Sequence, residues 1–100
     1  MKLYFDTSDN NKVTLKLDEE YFEYPVKRPS SQNLLNLIEE LLIKKGKTIQ
    51  EVTTIEANTG PGSFTGLKVG MAVGNALAWS LGVPINEHEC VMPNYVKEDK

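Results

Sequence analysis

Cys90 is the only cysteine in this 100-residue chain, so an internal disulfide is excluded and a reducing compartment is the default. Basic residues are not in excess either. Eleven Lys and Arg stand against 14 Asp and Glu, a net charge of −3, which argues against the chain gripping nucleic acid by itself. The longest apolar stretch, residues 69–83, is broken by Asn75 and Ser80 and falls short of the roughly 20 residues a membrane span needs. No membrane partner is therefore expected. Lys2-Leu3-Tyr4-Phe5-Asp6 reaches a carboxylate before an apolar segment can develop, so no secretory leader is expected, and the expected address is cytoplasmic. The sole histidine, His88, has no Ser or acid near it in a recognisable motif, and with Cys90 it supplies two ligands where a structural zinc site takes four. Neither a catalytic nucleophile–base pair nor a metal site is expected.

Charge is also missing from one region. Residues 1–56 carry 8 basic and 10 acidic side chains, whereas residues 57–86 carry Lys68 alone. Any helix in that second stretch has little solvated face and must be covered by something.

The elements follow from periodicity. Leu3 and Phe5 alternate with polar neighbours, as do Val13, Leu15 and Leu17, which is the pattern of half-buried strands. Ser8-Asp9-Asn10-Asn11 and Asp18-Glu19-Glu20 supply turns between them and a third strand over residues 21–26, where Pro25 points to an edge position or an early end. The period then changes. Ser30 or Ser31 can cap a helix striped by Leu34, Ile38, Leu41 and Leu42 and stopped at Gly46. Thr48-Ile49-Gln50-Glu51 fits a capping box, residues 52–57 a fourth strand, and residues 64–81 a second helix ended by Gly82. Pro84-Ile85-Asn86 opens a fifth strand. The order β-β-β-α-β-α-β predicts an α/β protein with a mixed sheet: the ribonuclease-H-like half-fold of the actin and sugar-kinase (ASKHA) type. Residues 1–87 are read as one such domain and residues 88–100 as a C-terminal tail.

The loop Asn58-Thr59-Gly60-Pro61-Gly62-Ser63 joins a strand end to a helix start. Two readings stand beside each other. The glycines can serve only a tight β-to-α connection, or they can shape a backbone nest for an anion at a helix N-terminus. In the second reading Asp6, Thr7, Gly60, Gly62 and Ser63 are the candidate anion or nucleotide contacts. A Walker A match fails, because Lys68 lies two residues past Gly66 and Val69 follows it. A dinucleotide fingerprint is present only in loosened form, in a chain with too little sheet to hold the ligand.

Gly60-Pro61-Gly62-Ser63-Phe64-Thr65-Gly66-Leu67-Lys68-Val69-Gly70 resembles the G-P-G-S-F-T-G-L-R-[IV]-G signature of the TsaB (YeaZ) family, with Lys68 for the usual Arg. Asp6-Thr7-Ser8 and Leu81-Gly82-Val83-Pro84 extend the likeness, and Pro93-Asn94-Tyr95-Val96-Lys97 is similar to that family's extreme C-terminus. Met71-Ala72-Val73-Gly74-Asn75 departs from the family run, and the second lobe is missing, so the chain reads as a shortened form. The resemblance implies a non-catalytic scaffold in tRNA N6-threonylcarbamoyladenosine biosynthesis. It further implies a TsaD-like threonylcarbamoyltransferase as partner, a TsaE-like ATPase and a second copy as further partners, and only indirect contact with tRNA. No cofactor of its own is implied, although ATP or ADP at a partner interface is compatible with it.

Gly66, Gly70, Gly74, Ala78 and Gly82 recur every fourth residue and so share one helix face. Interior glycines each cost roughly 1 kcal/mol relative to Ala, which close approach of another backbone offsets. The expected partner interface is accordingly Leu34, Ile38, Gly66, Leu67, Gly70, Met71, Gly74 and Ala78, with the chain's own first helix or sheet as the alternative neighbour. A second functional reading is a kinase-like, nucleotide-binding half-enzyme completed by homodimerisation.

Overall fold

A computed structural model describes residues 1–87, so the tail assignment, the His88/Cys90 pair and the Pro93–Lys97 resemblance lie outside the described residues. Strands β1 (Lys2–Asp6), β2 (Lys12–Leu17) and β3 (Glu20–Pro25) form an antiparallel meander. Helix α1 (Ser31–Lys44), a single 3-10 turn (Ile49–Glu51), β4 (Thr54–Ala57) and helix α2 (Phe64–Leu81) follow. The sheet order is β3-β2-β1-β4, with β4 parallel to β1. Pro25 thus sits on an edge strand, where its missing N–H leaves no gap in a ladder.

Local chemistry explains each boundary. Asp9 Oδ1 accepts from Asn11 N at 2.7 Å in the first turn. Asp18 tolerates the left-handed conformation (φ 50°) in the second, a region that Asp visits more readily than most residues. Ser30 caps α1: its hydroxyl accepts from Asn33 N at 3.1 Å, and Asn33 Oδ1 accepts from Ser30 N at 3.3 Å. Both helices end in the same way. Gly46 N donates to Ile43 O at 3.0 Å and Lys47 N to Leu42 O at 2.8 Å, while Gly82 N donates to Trp79 O at 3.3 Å and Val83 N to Ala78 O at 3.0 Å. These are paired Schellman bonds, each turning on a glycine at φ 68°.

Both helices lie on one face of the sheet. The register aligns Phe22, Leu15, Phe5 and Ala57 in one row across the four strands, and Leu17, Leu3 and Ile55 in the next. Those side chains meet Leu34, Ile38, Leu41 and Leu42 of α1 and Met71, Val73 and Ala78 of α2 in a single core. The other sheet face carries the row Tyr21, Lys16, Tyr4 and Glu56, a half-solvated surface with a Lys2–Glu56 ion pair at 2.8 Å.

One expected element is shorter than predicted. The fifth strand is a single parallel bridge, Ile85 to Ile55. Asn86 and Glu87 adopt left-handed φ values of 50° and 67°, which turn the chain out of the extended geometry that a strand requires.

Candidate functional site

The strand-end triplet Asp6-Thr7-Ser8 and the loop between β4 and α2 meet, as the sequence reading placed them. Asp6 Oδ1 accepts from Ser8 N at 2.8 Å and from Ser8 Oγ at 2.6 Å. Ser8 O accepts from Ser63 N at 2.9 Å, and Asn58 Nδ2 donates to Ser8 Oγ at 3.2 Å. Thr7 is 3% exposed, and its hydroxyl donates to Gly66 O at 2.6 Å. On the loop side, Gly60 N donates to Asn58 Oδ1 at 3.0 Å and Gly66 N to Ser63 Oγ at 3.2 Å.

These bonds take up part of what the loop could offer an anion. An anion nest works by aiming unengaged N–H groups at one point. Here the amides of Gly60, Ser63 and Gly66 already have acceptors within the chain, and the Thr7 hydroxyl is spent on a helix carbonyl. Gly62 is needed because a side chain there would meet Ser8. The five candidate anion contacts therefore stand together as a clasp between β1 and the start of α2. Among the described residues no group of three or more His, Cys, Asp or Glu is placed to hold a metal ion, and no helix is long and apolar enough to cross a membrane.

The expected interface residues need correction. Leu34, Ile38, Gly66, Leu67, Gly70, Met71, Gly74 and Ala78 are all buried within the chain itself. The glycine face of α2 packs on the chain's own sheet. A Cβ on Gly66 would strike the Thr7 carbonyl, one on Gly70 would lie 2.7 Å from Thr7 Oγ1, and one on Gly74 would lie 2.6 Å from Ile85 Cδ1 and 3.2 Å from Phe5 Cζ. The close backbone approach that offsets the glycines is thus internal, and Gly70→Leu would report on folding before it reported on docking. Periodicity identified the shared face; it could not say which neighbour lay against it.

What the helical layer leaves outside is a different set. Along α2, Phe64, Lys68, Ala72, Ala76 and Trp79 are exposed at helical spacing, with Trp79 at 87%. Lys68 Nζ lies 4.6 Å from the centre of the Phe64 ring. On α1, Leu35 and Ile43 are exposed, Ile43 at 70%. They border an apolar groove of about 380 Å³, lined also by Leu42, Ile49 and Leu77. The available signal was position: Leu35 and Ile43 lie outside the Leu34/Ile38/Leu41 stripe, and Trp79 lies off the glycine face.

The comparisons with known proteins bear on this geometry. A family model described as TsaD: tRNA N6-adenosine threonylcarbamoyltransferase matches residues 25–87, from the end of β3 through α2. The chain belongs to the family of TsaD and TsaB (YeaZ) proteins. A tRNA threonylcarbamoyladenosine biosynthesis protein TsaB of Bacillus subtilis is 34% identical over 67 residues, covering 67% of this chain and 29% of that relative. A tRNA N6-adenosine threonylcarbamoyltransferase of Vesicomyosocius okutanii is 42% identical over 57 residues, 57% of this chain and 17% of the relative. Among solved structures, YeaZ from Pseudomonas aeruginosa superposes with a TM-score of 0.71 at 30% identity, covering 84% of this chain and 41% of that one. The TsaB resemblance and the ribonuclease-H-like fold are both borne out. The chain spans between about a sixth and two fifths of the length of these relatives.

Proposed function

We propose that this chain is a non-catalytic partner subunit of the machinery that forms N6-threonylcarbamoyladenosine in tRNA, and that it docks on a TsaD-like threonylcarbamoyltransferase through the outer face of α1 and α2. The observation that carries the proposal is a contrast within the molecule. The amides of Gly60, Ser63 and Gly66 and the Thr7 hydroxyl are engaged within the chain, while the helical layer leaves Leu35 and Ile43 exposed beside an apolar groove and Phe64 and Trp79 exposed along α2. Large apolar side chains left exposed along two neighbouring helices mark candidate contact points, and Trp is among the residue types most enriched among energetic anchors. The TsaB and TsaD relatives support the choice of pathway and of partner. In this reading a TsaE-like ATPase and a second copy compete for, or add to, the same assembly; tRNA is met through the enzyme, and any ATP or ADP sits where subunits join.

The test is co-purification of the chain with a TsaD homologue, alongside ATP titration of the chain alone. Capture of the homologue by the wild-type chain, and its loss on Trp79→Ala with Ile43→Ser, is the expected result. Tight ATP binding by the isolated chain without capture would overturn the proposal in favour of a nucleotide-binding half-enzyme.

A further inference from the structure

The outer edge of β4 is where a sheet of this order offers backbone groups to another strand. Ile55 and Ala57 turn their N–H and C=O groups toward that edge, and a three-residue segment engages all of them. Ile55 N donates to Pro84 O at 3.0 Å, and Asn86 N donates to Ile55 O at 2.8 Å. At Ala57 the partner changes from main chain to side chain. Ala57 N donates to Asn86 Oδ1 at 2.8 Å, and Asn86 Nδ2 donates to Ala57 O at 3.0 Å. A primary amide is the side-chain group that presents one acceptor and one donor side by side, as the edge of a strand does. The main chain meanwhile leaves the edge at this point, because Asn86 and Glu87 take left-handed φ values.

The opposite edge is closed by other means. β3 ends in Pro25 and exposes Glu20 and Glu23, the proline and charge that discourage edge pairing. β4 (Thr-Ile-Glu-Ala) lacks the proline and carries one charge where β3 carries two, and Glu56 is ion-paired to Lys2 as Glu20 and Glu23 are to Lys45 and Lys12, so this edge relies on another cap.

We infer that Asn86 is an edge stop: its side-chain amide stands in for the peptide group of a further strand and bars a second copy of this chain from adding to β4. Asn86→Ala removes both bonds to Ala57 and leaves that residue's N–H and C=O facing outward. Asn86→Asp keeps an acceptor for Ala57 N but, when ionised, has no donor for Ala57 O.

The experiment uses the full 100-residue chain. Hydrogen exchange at the Ala57 amide and sedimentation velocity over a concentration series are measured for wild type and for N86A. Exchange at Ala57 is expected to quicken about tenfold in N86A, the size of effect that losing one part-buried hydrogen bond produces. N86A is also expected to associate, with rising concentration, beyond whatever state the wild type holds. A folded N86A that sediments as the wild type does at every concentration overturns the inference. Should N86A fail to fold, N86D decides: its association should appear while the carboxylate is ionised and recede once the carboxyl is protonated and can donate again. Wild-type sedimentation of N86D throughout that pH series overturns the inference equally. A helix-face dimer would exist in the wild type and be unmoved by Asn86, so this result stands apart from the docking proposal.

Discussion

The inner and outer faces of α2 are built from similar material, small or apolar residues with hardly a charge, and they are put to opposite uses. Inward, Gly66, Gly70 and Gly74 let the helix backbone settle on Thr7, Phe5 and Ile85. Outward, Ala72 and Ala76 lie between Phe64 and Trp79, exposed to solvent. A charge-poor helix therefore does not announce its partner by composition. The inner face is recognised by what cannot be added to it, the outer face by what is already there and uncovered.

Substitutions can break that comparison at its strongest point first. Gly66→Ala places a methyl on the Thr7 carbonyl, a backbone atom that cannot swing aside. It should lower stability by about 3 kcal/mol despite the better helix propensity of Ala, read as a fall in the denaturant midpoint. Gly74→Ala meets the flexible end of Ile85 instead and should lose less than Gly66→Ala in the same measurement. On the outer face the expectation inverts. Trp79→Ala should change stability by less than about 0.5 kcal/mol yet cost about 2 kcal/mol in binding a TsaD-like partner, measured by calorimetry of the complex. A Trp79→Ala chain that unfolds would show that the two faces are not separable.

A smaller effect is expected from Thr7→Val, which removes the buried hydroxyl bonded to Gly66 O. About 1 kcal/mol should be lost, again as a shift of midpoint with unchanged slope. The least consequence near neutral pH comes from the open face of the sheet. Burial, with Asp6, Tyr21 and Glu56 nearby, pushes the Tyr4 phenol up from 10.0 to about 12. The folded chain therefore holds this proton more tightly than the unfolded one. Its contribution is fully present below pH 10 and is lost as pH rises toward about 12. Tyr4→Phe should flatten the decline in thermal midpoint across that interval and leave pH 7 values nearly unchanged.

Much of the architecture was legible because the signals are local. Alternation in Leu3/Phe5 and Val13/Leu15/Leu17 marked strands, Ser30 or Ser31, Gly46 and Gly82 marked helix ends, and Pro25 marked an edge or an early strand end. What escaped sequence reading depends on contacts across the chain. The glycine face was visible as a period, but its neighbour is Thr7, 59 residues away from Gly66. The anion-nest reading weakened because Ser8, some fifty residues away in sequence, engages Ser63 N and Asn58 Nδ2 of the loop. Pro84-Ile85-Asn86 has the composition of a strand start, yet left-handed residues at Asn86 and Glu87 end it after one bridge. Exposure of Trp79 and Ile43 likewise follows from where α1 and α2 sit on the sheet, which no window of sequence contains.

The sheet order has a consequence for how the chain acquires its shape. β1, β2 and β3 are joined by tight turns, so the meander can zip up with little loss of chain freedom. β4 instead pairs with β1 across the whole of the meander and α1, with Met1 O meeting Thr53 N and Lys2 aligned with Thr54. Closing a loop of that length carries a much larger entropy cost than a hairpin does, and the clasp of Thr7 on Gly66 can form only after it has closed. On topology alone the meander is expected to form early and the parallel pair late, which φ-values at Leu15 and Ile55 would test. Stability added at the clasp should slow unfolding more than it speeds folding.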